Sequence, residues 1–328
     1  MIVAVVAVIA LLLIPSVTQS RYYVNLAVQC MIWALFAMSL DLLVGYLGHA
    51  SFGHAAFLGV AGYAVAILNV TFKWDPLAAA GGALVAAFVL AMIFGAVVSH
   101  VTGIYYTIVN FALAQTMWGL AYQWYSLTGG DNGVRGVARP SIFGIASGGT
   151  NAFFYFVAVI FVVCTLLLLL VVSSPFGLTM RGIKQTQSRM RVLGYNVWLH
   201  KYIAYVIAGT FAGVAGIMQS YFDQFIGPGQ VSMMTSAKVV LMVIVGGAGT
   251  LLGPLFGGVL VVIIQNAVSA FTDRWMMVLG VMYVIIVVFV PGGLMGLYRR
   301  IARRSAGPAR IPVAASGPAD GGVVGSPV

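Results

Sequence analysis

Residues 152–172 read AFFYFVAVIFVVCTLLLLLVV, a run with no charge, glycine or proline. As a helix it rises about 32 Å, enough to cross a hydrocarbon core of roughly 30 Å. Moving outward, comparable runs fall at 2–16, 24–44, 51–71, 77–98, 104–125, 202–222, 236–248, 251–270 and 275–297. A lipid-exposed backbone must satisfy its own hydrogen bonds, so such runs are helices. The period-two alternation of a membrane β-barrel is missing. The expected fold is all-α: a polytopic integral membrane bundle of about ten helices.

Composition supports this. Hydrophobic residues make up 62% of the 328 positions and charged residues 7%, against about 25% charged in a soluble domain. Glutamate is absent, and all six acids are Asp. The formal charge of +10 comes from basic residues grouped at the ends of apolar runs. That placement fits membrane orientation and gives no reason to expect nucleic acid. Cys30 and Cys164 both lie inside apolar runs, so neither a disulfide nor a metal site is expected. Residues 1–14 lack the basic leader and small-x-small site of a signal peptide and read as a first membrane helix.

Residues 173–201 hold Arg181, Lys184, Arg189, Arg191 and Lys201 with no acid, and the last run is followed by Arg299, Arg300, Arg303, Arg304 and Arg310. Together these are 10 of the 16 basic residues, which places both segments in the cytoplasm. An even number of crossings must then separate them. Parity is met if 236–270 splits at Gly246-Gly247-Ala248-Gly249-Thr250. The expected arrangement is a multi-pass protein with both termini cytoplasmic, a transmembrane domain over 1–300 and a Gly- and Pro-rich disordered tail over 301–328.

Four constellations could carry function. The cytoplasmic segment 174–201 opens with Ser174-Pro175-Phe176-Gly177 and runs RGIKQTQSRMRVLGYNVWLHK from Arg181. Read as one helix, Arg181, Lys184, Ser188 and Arg191 share a face opposite Ile183, Met190 and Leu193, and Gly194 permits a sharp reversal. Such a helix suits a partner's groove, and it would equally suit a surface of anionic lipid heads. In the second constellation, 45–59 read GYLGHASFGHAAFLG, where small residues allow close packing or an interrupted helix and Ser51 could cap the next one. His49 and His54 are five apart, a poor spacing for a metal pair on one helix face. His54 suits a path lining or a satisfied core. The third, Thr128-Gly129-Gly130-Asp131-Asn132-Gly133, falls on the outer side and lacks the lysine of a phosphate-binding loop. The fourth is intramembrane polarity: Asp41, with uncharged Asn110, Gln115, Gln265 and Asn266, as candidates for a lining or for interhelical hydrogen bonds.

LLVGYLGHASFGHAAFLGVAGY resembles the glycine-rich signature of permeases of branched-chain amino-acid ABC importers. TGIYYTIVNFALAQ with LTGGDNG is similar to the M-type subunit of that family. SPFGLTMRGIKQTQSRMRVLGYNVWLHKYIAYVIAGTFAGVAGIM resembles its coupling segment, and GGAGTLLGP and FVPGGLMGL also fit. The resemblance runs from about residue 22 to 300. It implies an assembly in the bacterial inner membrane of two permeases (M-type with H-type), two cytoplasmic ATPases and a periplasmic binding protein. It also implies coupling to the ATPase through Arg181, Lys184, Gln187, Ser188, Arg191, Gly194 and Asn196. The Glu-Ala-Ala start of the wider coupling motif is replaced by Gln187-Ser188-Arg189. Translocation-path candidates are Asp41, His54, Asn110 and Gln115. No catalytic residue and no cofactor is expected, because ATP hydrolysis would belong to another chain. The rivals are a urea or short-amide permease of the same family and an ion-coupled transporter, which would need intramembrane acid or histidine relays. A membrane enzyme would need a catalytic cluster, and a channel would conduct without any ATPase.

Overall fold

The computed structural model describes residues 20–140 and 150–271, with 277, 278, 280, 281, 283, 284 and 292–296. The run expected at 2–16, most of that at 275–297 and the tail 301–328 lie outside the described residues. Among the described residues, five helical segments are long and apolar enough to cross a membrane: Arg21–Tyr46, Pro76–Val98, Asn151–Ser173, Val197–Asp223 and Leu252–Ser269. Two shorter apolar segments, Ala55–Thr71 and Met233–Gly246, lie among them. The chain is an all-α polytopic bundle.

Helix α1 (Arg21–Asp41) is apolar on every side, and each residue from Cys30 to Asp41 is buried. A helix without a polar face must be surrounded by other helices. Its last turn widens over Leu42–Tyr46, where the Leu47 N–H donates to the Leu42 carbonyl. From there 47–54 run without regular helix until α2 (Ala55–Ala66, continuing in a wide turn over Ile67–Thr71) begins. The link between the two segments is therefore irregular, and it brings His54 back beside Ser39 and Phe36. The free N–H of Ala55 donates to Ser236 Oγ of a distant helix. Ser51, expected to cap α2, does not do so: its hydroxyl donates to Asn110 Oδ1 (3.4 Å) instead.

Helix α3 (Pro76–Val98) starts at Asp75, whose carboxylate accepts from the Leu77 N–H, with Pro76 in the first turn. Ala79, Ala83, Ala87 and Ala91 form a fully buried stripe, and Val85, Phe88, Val89, Met92 and Ile93 are exposed on the opposite side. Helix α4 (Ile104–Gln123) and the short α5 (Tyr125–Thr128) lead to a glycine turn and a two-residue strand β1 (Val134–Arg135). Helix α6 (Thr150–Ser173) packs against α1.

Helix α9 (Val197–Asp223) lies against α1, α2 and α3. A Cβ on Gly213 would meet the Ala87 methyl at 2.5 Å, and one on Gly216 would strike the Leu58 carbonyl. These glycines let backbones approach, which is how helices associate in lipid. Strand β2 (Phe225–Ile226) follows and pairs antiparallel with β1. Helix α10 (Met233–Gly246) and helix α11 (Leu252–Ser269) are separate, with Gly247 and Gly249 both at positive φ between them. The expected split at 246–250 is present. At 14 residues, α10 rises only about 21 Å.

Candidate functional site

The segment after α6 folds as two helices, where one was expected. Helix α7 (Pro175–Gln185) begins at Pro175, and helix α8 (Gln187–Val192) follows after Thr186, which is extended at φ −158° and ψ 103°. The break comes from packing, since no Gly or Pro stands there: α8 folds back so that Met190 covers Gly182, where a Cβ would lie 2.7 Å from the Met190 sulfur. A continuous face through Arg181, Lys184, Ser188 and Arg191 therefore does not exist.

The two halves of that expected stripe have different neighbours. Lys184 Nζ donates to the Gly45 carbonyl (2.7 Å), and the Arg181 guanidinium lies over the Tyr46 ring (4.9 Å). Gly48, at φ +79°, leaves room for the Lys184 stem. Gln187 Nε2 comes to 3.5 Å from His49 Nε2. With His49 Nδ1 donating to the Leu47 carbonyl (3.0 Å), Nε2 is left as acceptor. Burial holds the His49 imidazole below its ordinary range; the Leu47 bond opposes this and Lys201 adds to it. Arg181, Lys184 and Gln187 thus clasp residues 45–49, where the first span ends and the link to α2 begins.

Ser188, Arg189, Arg191, Val192, Leu193 and Gly194 point away and are exposed, Val192 at 88% and Leu193 at 64%. Gly194 (φ +85°) closes α8: its N–H donates to the Arg191 carbonyl, and the Tyr195 N–H donates to the Met190 carbonyl. This is the paired-bond helix ending that a left-handed glycine allows. Asn196 then caps α9 by accepting from the Leu199 N–H (3.1 Å). Between α7 and α8 opens an apolar groove of about 510 Å³, lined by Phe176, Leu178, Met190, Leu193, Tyr195 and His200 among others.

Of the intramembrane candidates, Asp41 is fully buried, and its two oxygens accept from the N–H groups of Gly249 (2.8 Å) and Leu251 (3.0 Å). The acid holds the turn between α10 and α11 at the end of α1. Asn110 is also buried, accepting from Tyr205 OH (2.6 Å) and donating to the Tyr106 carbonyl. His54 bonds to Ser39 Oγ through Nε2 (2.9 Å) and stacks on Phe36, while its Nδ1 has no partner among the described residues. Gln115 is half-buried on α4. Asn266 donates to Gln29 Oε1 (3.0 Å), an interhelical bond of the expected kind. The structure brings Asp41 and Lys184 to one end of the bundle, while His54 and Asn110 bond to Ser39 and Ser51 around the link between α1 and α2. Among the described residues no group of His, Cys, Asp or Glu could hold a metal ion.

One pair went unread in the sequence. Lys238 of α10 lies with its ammonium 3.8 Å from the Trp33 ring centre. It feels the charge of Asp223, which accepts from Gln219 (2.7 Å) and Gln230 (3.2 Å). Buried beside this cluster, Trp33 Nε1 and Gln219 Oε1 lack partners among the described residues. The signal was available: Lys238 is the third residue of the apolar run 236–248.

The comparisons agree with this architecture. Residues 22–288 match the family model described as branched-chain amino acid transport system / permease component. The chain is 26% identical over 317 residues to the high-affinity branched-chain amino acid transport system permease protein LivM of Salmonella typhimurium, covering 89% of this chain and 74% of that one. It is also 26% identical over 306 residues to LivM of Escherichia coli, covering 85% and 71%. No solved structure matches the chain. A match over this length, on a bundle of apolar helices, makes the chain a multi-pass transport subunit and not an enzyme. It belongs to the family of branched-chain amino acid transport permeases, M-type membrane subunits of ATP-driven importers that work with separate ATPase and substrate-binding partners.

Proposed function

We propose that the chain imports a branched-chain or other hydrophobic amino acid across the bacterial inner membrane by alternating access. In this reading it pairs with an H-type permease, two ATPases dock from the cytoplasm, and a periplasmic protein delivers the substrate. Both termini lie in the cytoplasm, domain 1–300 spans the membrane, and 301–328 form a tail.

The observation that carries the reading is the division of labour within 174–201. α8 presents Arg189, Arg191, Val192 and Leu193 outward, while α7 is fastened to 45–49 through Lys184 and Arg181. A partner that moves α8 therefore pulls on the link between α1 and α2 and, through Asp41, on the α10–α11 turn. Ser188 and Arg191 belong to the contact end of this lever, and Gln187 to its fastened end beside His49. Gly194 and Asn196 form its hinge, by turning the chain and capping α9.

For the path we propose α4, with Gln115, and the cluster of Asp223 and Lys238. A zwitterion losing its water needs one acid and one base, and these two lie within electrostatic reach of each other. Asp41, His54 and Asn110 would hold the walls of that path by their hydrogen bonds.

The test is co-purification of the partner ATPase with Arg189→Glu/Leu193→Asp. Loss of the ATPase with normal membrane insertion is expected. Full association and uptake by the double variant would overturn the assignment.

A further inference from the structure

A second concave site lies beside the lever and is built for negative charge. A cavity of about 240 Å³ is lined by Ser99, His100, Thr102, Arg191, Val197, Trp198 and Lys201. Three elements meet there: the chain after α3, the end of α8 and the first turn of α9. No acid lines it. Lys201 is only 2% exposed, and its ammonium donates to the Val101 carbonyl (2.7 Å). Arg191 and Lys201 are close enough to repel each other. Such a pair held together by the fold is relieved by an anion between them. The first turn of α9 adds to this: Asn196 takes the Leu199 N–H, and the N–H groups of Val197 and Trp198 ahead of it have no intrahelical acceptor and attract oxyanions.

The surroundings say where the anion comes from. Trp198 is 37% exposed and stacks on Tyr202 at 5.3 Å, and the exposed apolar side of α3 descends to the same end. Tryptophan and tyrosine at the end of a membrane helix mark the headgroup level. We propose that this cavity binds the phosphate group of an anionic phospholipid, seated between Arg191 and Lys201 on the first turn of α9. Because Arg191 belongs to α8, the headgroup would join the outward-facing helix of the lever to the bundle. The assignment of the leaflet as cytoplasmic rests on the orientation proposed above; the chemistry of the cavity does not.

The experiment is native mass spectrometry of the full chain in detergent, titrated with phosphatidylglycerol, phosphatidylcholine or inorganic phosphate. One phosphatidylglycerol should be retained in preference to phosphatidylcholine. Retention should fall about fivefold for each cation removed, in Arg191→Gln and in Lys201→Gln. Since Lys201 is buried and its variant can fail to fold, Thr102→Glu serves as a second probe, placing an acid at an exposed rim, and should abolish the preference. Equal retention of phosphatidylglycerol by the parent, Arg191→Gln and Thr102→Glu would overturn the proposal. Displacement of the lipid by equimolar inorganic phosphate would overturn the lipid assignment in favour of a soluble phosphate. Neither outcome depends on transport or on an ATPase, so failure here leaves the import reading standing, and failure of ATPase docking leaves this one.

Discussion

The Lys184 ammonium lies 2.7 Å from the carbonyl of Gly45, a residue 139 positions earlier in the chain. The carbonyl is available because the wide turn over Leu42–Tyr46 ends a helix there, and helix ends leave carbonyl groups without partners. A basic residue that helical spacing places on the proposed docking face also bonds to the bundle.

Lys184→Met should therefore uncouple without undocking. The ATPase should still co-purify, because Arg189, Val192 and Leu193 are untouched. Uptake per ATP hydrolysed in proteoliposomes should fall several-fold, as expected if roughly 1 kcal/mol of a charged hydrogen bond is lost from the moving contact. A parallel loss of ATPase binding would place Lys184 on the docking face.

Asp41→Ala should destabilise the whole bundle. Two buried backbone N–H groups, of Gly249 and Leu251, would lose their acceptor. Each such group costs roughly 1–3 kcal/mol when left unmade. The detergent-solubilised variant should melt well below the parent, and an unchanged melting temperature would remove Asp41 from this role.

Gly216→Ala and Gly81→Ala form a matched pair. A Cβ at 216 runs into the backbone carbonyl of Leu58, which has no rotamer to yield, and one at 81 meets nothing within 4 Å. The first substitution should destabilise by about 1–3 kcal/mol. The second should be neutral or slightly stabilising, since alanine is the better helix former. Thermal melting of the two variants side by side is the measurement.

Lys238→Met should lower uptake of a zwitterionic amino acid while leaving ATPase docking intact, because α10 is remote from α8. The expected sign is a raised KM for transport with the assembly unchanged. Unaltered transport kinetics would remove the Asp223–Lys238 cluster from the path.

Much of the bundle was legible because lipid imposes a simple rule on sequence. The run 24–44 became Arg21–Tyr46 and 77–98 became Pro76–Val98, and the glycines at 246–249 divided α10 from α11. The lever was less legible. Thr186 has no breaker beside it, and only the fold of Met190 over Gly182 ends α7 there. Helical spacing placed Lys184 and Arg191 on one face, because spacing carries no information about a bend. Ser51 had the chemistry of a cap and found Asn110, 59 residues away, instead. Lys238 escaped notice because a single cation inside an apolar run looks like noise until Trp33 and Asp223 stand beside it.

The alanine stripe of α3 has its own consequence for movement. The methyls of Ala87 and Ala91 sit in notches that Gly213 and Gly209 leave on α9, where a Cβ would lie 2.5 and 2.7 Å from them. A helix seated in such notches cannot slide by a fraction of a turn without driving each methyl against the next residue of its neighbour. The close approach of these two backbones therefore makes them a single plank that travels as one body.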